Sequence, residues 1–176
     1  MRRKNNLKAL TQISLAAALL SVSAWITLGG AIPITAQTLT LSLILILLGG
    51  KKGAIATALY ILIGATGVPV YAGFSGGVGH LFSESGGFIF GFLALALVYL
   101  LVTGIFGDGA ISTVSALVLG TCTLYLLGSL WYAALYSGGA SFGAILSLTV
   151  LPYLLPDALK LTLAVLVGRR LKRYIK

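Results

Sequence analysis

Apolar residues fill six long stretches of this chain, and glycines, prolines or short polar turns separate them. A helix that crosses a membrane needs about 20 mostly apolar residues, and the six stretches approach that length. The pattern predicts an all-α integral membrane protein with six transmembrane helices in a single domain, residues 1–176. The expected spans are about 9–29, 34–50, 53–68, 86–106, 110–136 and 142–168.

The composition supports the same class. Of the 176 residues, 59% are hydrophobic and 9% are charged, and the mean hydropathy is 1.07. A soluble domain with so few polar residues could not cover its surface, so that class is excluded. Cys122 is the one cysteine, which excludes a disulfide framework and a cysteine metal cluster. We expect it to be a small buried hydrophobic residue.

Positive charge predicts the orientation. The net charge is +9, and eleven of the twelve basic residues lie near the two termini or at Lys51 and Lys52. Cytoplasmic loops carry an excess of Lys and Arg, and six spans place both termini on one face. We therefore expect cytoplasmic termini, a cytoplasmic loop at Lys51 and Lys52, and a multi-pass protein of the plasma (inner) membrane. The basic groups then attract anionic membrane lipid, and no nucleic-acid partner is expected.

The first stretch allows two interpretations. Its basic start and the small residues at 22–24 are typical of a cleaved signal peptide, but apolar residues continue beyond them. We expect a retained span. Small residues at about four-residue spacing give it a smooth face, which packs on the protein's own helices or docks a separate subunit. The residues of this face are Ser14, Ala17, Ala18 and Ser21.

Glycine is concentrated in residues 73–91, GFSGGVGHLFSESGGFIFG. Glycines allow backbone N–H groups to approach a ligand closely, or allow tight helix packing around a flexible loop. No nucleotide-binding P-loop motif is present, and GGKKG at 49–53 has the wrong spacing. His80 and Glu84 are two titratable groups without a third ligand, so we expect solvated loop residues and no metal site.

Asp157 and Lys160 are the strongest polar signal, because they interrupt an apolar stretch. Counting back from Arg169 puts them about 18 and 13 Å above the cytoplasmic boundary, near the middle of a core about 30 Å thick. Each charge there costs about 2.5 to 3.5 kcal/mol. Their i, i+3 spacing places both on one helix face, where they neutralise each other and point into the bundle.

Two prolines precede this pair. Pro152 and Pro156 have no N–H group, so backbone carbonyls one turn earlier are left without a hydrogen-bond donor. A membrane protein tolerates such carbonyls only where they face protein or a watery cavity. We expect residues 152–160 to form the floor of a pocket that opens outward, with a ligand-free polar clamp between helices as the alternative. Further polar candidates are Gln37 with Thr35 and Thr38, and Tyr71.

Four stretches together resemble the BioY family, the biotin-binding S components of energy-coupling-factor (ECF) transporters. They are PITAQTL at 33–39, LLGGKKGAIATALYILIGATGVPVYAGFSGGVGHL at 47–81, SGGFIFGF at 85–92 and PDALK at 156–160. The most specific parts are the G-x-P-V-[FY]-A-G stretch and the D-x-x-K. The chain departs from the family at 83–85, where Ser-Glu-Ser replaces the usual Gly-Pro-Thr.

The resemblance implies six spans, an outward-facing biotin site, no cofactor, and energy supplied by an ECF T component with two ATP-binding subunits. In that arrangement Asp157 accepts from the ureido N–H groups of biotin, and Lys160 orients Asp157 and donates to the ureido oxygen. A reversed pose, with Lys160 on the biotin carboxylate, stays open. The expected substrate-binding residues are Asp157, Lys160, Gln37, Tyr71, Gly73, Phe74, Gly86, Gly87 and Phe88.

Two other functions remain as alternatives. One is an S component for another vitamin of the thiamine or riboflavin class. The other is an intramembrane enzyme that uses Asp157 as an acid or base, which requires a second catalytic group at the same depth. The sequence supplies no such group, so we expect no enzyme.

Overall fold

The computed structural model describes residues 2–29 and 32–175, and most of these residues are helical. A short antiparallel pair of strands, β1 (Thr27–Leu28) and β2 (Ile34–Thr35), joins the first two helices. A 3-10 turn, Ala72–Phe74, follows the third helix. The α-helices of the described ranges are α1 Arg2–Trp25, α2 Gln37–Leu48, α3 Gly50–Ala65, α4 Val78–Leu81, α5 Gly86–Phe106, α6 Ala110–Tyr136, α7 Phe142–Thr149 and α8 Leu151–Ile175.

Four helices of the described residues are long and apolar enough to cross a membrane: α1, from Asn6 onward, α5, α6 and α8. Helix α2 has 12 residues and α3 has 16, so they extend only about 18 and 24 Å. A straight crossing needs about 30 Å. The structure therefore has the expected helical architecture, with four helices of spanning length where the hydropathy pattern predicted six.

The last predicted span, 142–168, is not one helix. Helix α7 ends at Thr149, Val150 leaves helical geometry with φ −125° and ψ −51°, and α8 starts at Leu151. Pro152 explains the break, because it has no N–H to donate to the preceding turn and is well placed in the first turn of a new helix. Pro156 lies inside α8.

Two further expectations are wrong. Lys51 and Lys52 lie in the first turn of α3 and not in a loop, because Gly49, with φ +83°, is the whole connection between α2 and α3. A glycine adopts this backbone conformation without the strain that a Cβ brings. Cys122 is exposed on the flank of α6 and not buried.

Helices α5 and α6 form the most extensive pair, α8 packs against α2, and α3 lies between α1 and α5. Glycines allow the close approach of α5 and α6. A Cβ built on Gly91 would come within 3.1 Å of the backbone of Leu124, and one on Gly120 within 2.9 Å of the side chain of Leu95. Helices that approach this closely gain packing contacts that larger residues would prevent.

Basic residues from different parts of the chain lie at one end of the bundle, where the end of α2 packs against the end of α8 at Ile46 and Gly168. Lys52, at the start of α3, donates to Gln12 of α1 at 2.8 Å. Lys172, near the end of α8, forms an ion pair with Asp108 in the α5–α6 connection at 3.2 Å. We call this end of the bundle the basic end.

Candidate functional site

A cavity lies among α2, α3, α5, α6 and α8, away from the basic end. The segment before α2 and the short helix α4 complete its wall, and it encloses about 580 Å³ including its open mouth. Its walls are mainly apolar and aromatic, with polar groups from five helices among them, as is typical of small-molecule sites. The lining residues are Ile32, Pro33, Ile34, Thr35, Gln37, Thr38, Tyr60, Ala72, His80, Ser85, Phe88, Ile89, Phe92, Leu124, Tyr125, Tyr153, Asp157 and Lys160.

Asp157 is the buried anion of this cavity, with 6% of its surface exposed. Lys160, one helical turn later, donates to Asp157 Oδ1 at 2.8 Å. Tyr125 of α6 donates its hydroxyl to Asp157 Oδ2 at 2.6 Å. A carboxylate offers about four acceptor positions, and these two donors use only two of them. The carboxylate is therefore held in place on the cavity wall and retains capacity to accept from a ligand.

A second polar group surrounds Gln37, which has 4% of its surface exposed. Its Nε2 donates to the hydroxyl of Tyr60 at 2.9 Å, and Thr35 Oγ1 donates to its Oε1 at 3.2 Å. The Tyr60 hydroxyl accepts in this contact, so its own hydrogen is free to donate. Neutral donors and acceptors thus line the cavity on the side of α2 and α3.

Tyr71 and His80 form a layer between α3 and α5. Tyr71 is fully buried, and its hydroxyl donates to the carbonyl of Ile61 at 2.7 Å. Its ring stacks on the His80 imidazole with centroids 5.4 Å apart. His80 Nε2 lies 3.3 Å from Ser75 Oγ and 3.4 Å from Ser85 Oγ. His80 is therefore a half-buried wall residue, and the expectation of a solvated loop histidine is wrong.

Burial of His80 has a consequence for pH. The loss of hydration lowers the pKa of the imidazole below its ordinary value of about 6.5. The unfolded chain therefore takes up a proton before the folded chain does as the pH falls below about 6.5. The free energy of unfolding, with its full value above that pH, falls as the medium is acidified.

We expect the His80→Phe variant to lose part of this acid sensitivity, because phenylalanine keeps a ring against Tyr71 and cannot titrate. The measurement is the apparent Tm at about pH 7 and about pH 5. His80 is the only histidine of the chain, so the native protein is the matched control. An identical decrease in Tm in both proteins would contradict this assignment.

The structure places the sequence-predicted site residues in three settings. Gln37, Phe88, Asp157 and Lys160 line the cavity, and Tyr71 supports it from behind His80. Gly73 and Phe74 lie outside the lining, and Phe74, 63% exposed, stacks on Trp25 with centroids 5.0 Å apart. Gly86 and Gly87 also lie outside the lining. A Cβ on Gly86 would meet the Leu81 carbonyl oxygen at 1.9 Å, and one on Gly87 would meet Trp131 Cβ at 2.3 Å.

The floor predicted at 152–160 is present in part. Asp157 and Lys160 belong to the lining, whereas Pro152 is exposed and lies outside it. Tyr153 lines the cavity and donates its hydroxyl to the carbonyl of Ile32, which joins α8 to the segment before α2. Glu84 does not line the cavity, and no cluster of three metal-binding side chains occurs in residues 2–29 and 32–175.

Sequence reasoning missed several wall residues, above all Tyr125, Tyr60 and His80. In a hydropathy pattern, a tyrosine inside an apolar stretch is not distinguished from its apolar neighbours, although its hydroxyl needs a hydrogen-bond partner when buried. That requirement is the one signal that points to Tyr125. The partner itself lies 32 positions away along the chain.

The expected docking face divides into two pairs. Ala17 and Ser21 are buried inside the protein, where α1 packs against α3. Ser14 and Ala18 are exposed on the outside of α1. The packing interpretation thus applies to the first pair, and the second pair remains available to another subunit.

Comparison with known proteins gives consistent matches over the whole length. The BioY family profile matches residues 1–176. A probable biotin transporter BioY from Pyrococcus horikoshii is 34% identical over 166 residues, covering 94% of this chain and 96% of that protein. The biotin transporter BioY from Thermotoga maritima is 32% identical, covering 95% and 97%.

A solved structure has the same fold. It is the crystal structure of the S-component for biotin from an ECF-type ABC transporter, with a TM-score of 0.86 and 21% identity. The match covers 98% of this chain and 95% of the solved one. With the family profile matching from the first residue to the last, this chain belongs to the BioY family.

Proposed function

We propose that this chain is the substrate-binding S component of an ATP-driven ECF vitamin importer, and that it binds biotin in the cavity around Asp157. Family membership and the relatives that are named biotin transporters support the substrate. The observation that carries the proposal is the buried carboxylate of Asp157, which Lys160 and Tyr125 hold on the wall of an otherwise largely apolar cavity. No catalytic role is proposed.

Biotin contains a ureido ring with two N–H donors and one carbonyl oxygen. The unused acceptor positions of Asp157 suit the two donors. Lys160 has three N–H bonds and uses one on Asp157, so another is available to the ureido oxygen. Hydrogen bonds to charged groups are shorter and stronger than neutral ones, which favours this end of the cavity for the most polar part of the ligand.

The remaining wall suits the rest of biotin. Phe88, Ile89 and Phe92 offer an apolar surface to the thioether ring and the alkyl chain. The carboxylate would lie nearer the mouth, and the buried side chains of Gln37 and Tyr60 supply neutral polar groups on the α2–α3 side of the cavity. In the reversed pose Lys160 would hold the carboxylate instead.

The other predicted contacts have indirect places in this proposal. Tyr71 would support the wall through His80. Gly73 and Phe74 would reach biotin only after an inward movement of residues 72–77, which follow the end of α3. Gly86 and Gly87 would act by letting α5 start close to α6 and α4.

We further propose six membrane segments with both termini in the cytoplasm and a location in the plasma membrane. The concentration of basic groups at one end of the bundle supports this orientation. The short helices α2 and α3 would cross together with the residues that flank them. Helices α7 and α8 would share the last crossing.

The energy for transport would come from partner subunits, an ECF T component and two ATP-binding proteins. The absence of a P-loop motif from the sequence supports this division of labour. The exposed residues Ser14 and Ala18 would form the core of the docking face, because small side chains allow another helix to approach closely.

We expect the purified chain in detergent to bind labelled biotin with a Kd below about 1 μM, which corresponds to more than about 8 kcal/mol of binding free energy. Thiamine and riboflavin serve as matched competitors and should not displace the label. Tighter binding of either vitamin than of biotin would assign the cavity to a different S component. Biotin methyl ester, which keeps the ureido ring, should retain most of the affinity unless the reversed pose is correct.

A further inference from the structure

An apolar groove runs along the flank of the bundle between α6 and α8. Each helix has its main partner elsewhere, α5 for α6 and α2 for α8. Among the described residues the two helices make little direct contact, and the hydrogen bond between Tyr125 and Asp157 bridges them. Val118 and Cys122 line one side of the groove, and Ala158 and Leu161 line the other.

The groove extends about half-way across a membrane. On α6 its lining runs from Val114 to Tyr125, which is about 16 Å at the helical rise. A hydrocarbon core is about 30 Å thick, so this length matches one leaflet. A helix crossing the whole membrane would find a partner surface for only half of its length, whereas an acyl chain of one leaflet would lie in the groove throughout.

The groove continues into a basic pocket at the basic end. Val165 and Leu166 line both, so the two spaces adjoin. Beyond them the pocket is lined by Arg169, Arg170 and Arg173. Lys172 also lines it, and its ion pair with Asp108 neutralises that lysine.

The three arginines leave this pocket strongly positive. The whole chain has three acidic residues, and Asp108 is the one that lines the pocket. Neither ion pair found among the described residues includes Arg169, Arg170 or Arg173. Guanidinium groups bind phosphate through paired N–H donors, and basic pockets between helices at a membrane surface bind anionic headgroups.

We propose that this surface binds one anionic phospholipid, with the phosphate on the arginines and one acyl chain in the α6–α8 groove. An apolar groove of one-leaflet length that opens into a positive pocket has the shape and charge of such a lipid. The groove lies on the outer flank of the bundle and shares Tyr125 and Asp157 with the wall of the cavity. The lipid proposal concerns a different ligand and does not depend on biotin binding.

Native mass spectrometry of the full chain in detergent, titrated with phosphatidylglycerol, tests the headgroup pocket. Wild type should bind one equivalent more tightly than phosphatidylcholine with the same acyl chains. The Arg169→Gln/Arg173→Gln double variant should lose roughly 25-fold in affinity, at about fivefold per basic group. The matched control is Lys8→Gln/Lys51→Gln, which removes the same charge from exposed residues elsewhere and should change affinity less than about twofold.

A second pair of variants tests the groove. Cys122→Phe fills part of it and should weaken phosphatidylglycerol binding about tenfold, since it displaces acyl-chain contacts. Leu126→Phe enlarges an exposed residue of α6 that does not line the groove, and it should have no effect. Thermal scans of all variants should show native-like folding, because the substituted side chains are exposed.

Three results would overturn the proposal. Equal binding of phosphatidylglycerol and phosphatidylcholine would remove the headgroup specificity. If glycerol phosphate, which has no acyl chains, bound as tightly as phosphatidylglycerol, the pocket would be a phosphate site and the groove would have no part in binding. Unchanged lipid binding by the double arginine variant, with loss of the complex with the coupling subunits, would assign the arginines to an acidic protein surface.

Discussion

The Asp157→Asn protein is expected to bind biotin about 100-fold more weakly than the native chain. Asparagine keeps the size of the side chain but replaces one acceptor oxygen by an N–H donor and removes the charge. Each hydrogen bond to a charged group contributes about 1.5 to 3 kcal/mol, and a 100-fold loss corresponds to about 2.7 kcal/mol. Equilibrium binding of labelled biotin to the detergent-solubilised variant measures the change.

Stability must be separated from binding, because the substitution also leaves Lys160 without its counterion. Breaking a fully buried pair costs about 3 to 5 kcal/mol, and the partial exposure of the Lys160 side chain, 18%, reduces that cost. The double variant Asp157→Asn/Lys160→Met restores neutrality. We expect it to recover much of the lost Tm and none of the lost affinity.

The comparison of the two variants has a clear contrary outcome. Native affinity in both would exclude Asp157 from the binding site and would leave the polar clamp as the role of the pair. Recovery of binding together with Tm would mean that Asp157 acts only by stabilising the fold.

The Asp157–Lys160 pair could be predicted from the sequence, because the unfavourable free energy of two charges in an apolar stretch depends only on neighbouring residues. Two charges in an apolar stretch are unfavourable wherever that stretch packs, and their spacing places them on one helix face. The prolines were informative for the same reason, since the missing N–H groups affect neighbouring residues of the same helix. The break before α8 agrees with that reasoning.

Long-range partners could not be predicted in this way. The hydroxyl of Tyr125 reaches Asp157 across 32 positions, and Gln37 reaches Tyr60 across 23. Nothing near these tyrosines distinguishes them from interfacial anchors, because their rings suit an apolar stretch. The burial of His80 could not be predicted either, because it depends on Tyr71, Ser75 and Ser85, which the fold brings around the imidazole.

The prediction of the helix boundaries around Lys51 and Lys52 was wrong for a different reason. A hydropathy window treats Lys51 and Lys52 as an interruption, although one glycine is enough to end α2 and start α3. Lys51 is exposed and Lys52 is hydrogen-bonded to Gln12, so both lysines fit in the first turn of a helix and do not mark the end of secondary structure. The four long helices were easier to predict, since each contains an apolar stretch of at least 20 residues, about the length of a span.

Gly87 serves either the packing of α5 on α6 or direct contact with the ligand, and the Gly87→Ala variant distinguishes these two roles. A Cβ at this position would lie 2.3 Å from Trp131 Cβ and 3.1 Å from the Leu127 carbonyl oxygen, so α5 and α6 would have to separate. Overpacking of this kind costs about 1 to 3 kcal/mol, which corresponds to a decrease of roughly 5 °C in apparent Tm. Biotin affinity, measured well below the Tm, should stay within about twofold of native if Gly87 serves packing.

Gly79→Ala is the matched control, because a Cβ there has no neighbour within 4 Å and the residue lies in the same glycine-rich segment. Its Tm should equal the native value or rise slightly, as fewer conformations remain for the unfolded chain. The opposite pattern for Gly87→Ala, a native Tm with much weaker biotin binding, would establish the direct ligand contact that the sequence pattern predicted. That result would require residues 86 and 87 to face the ligand in the bound state, and hence a movement of α5 away from Trp131.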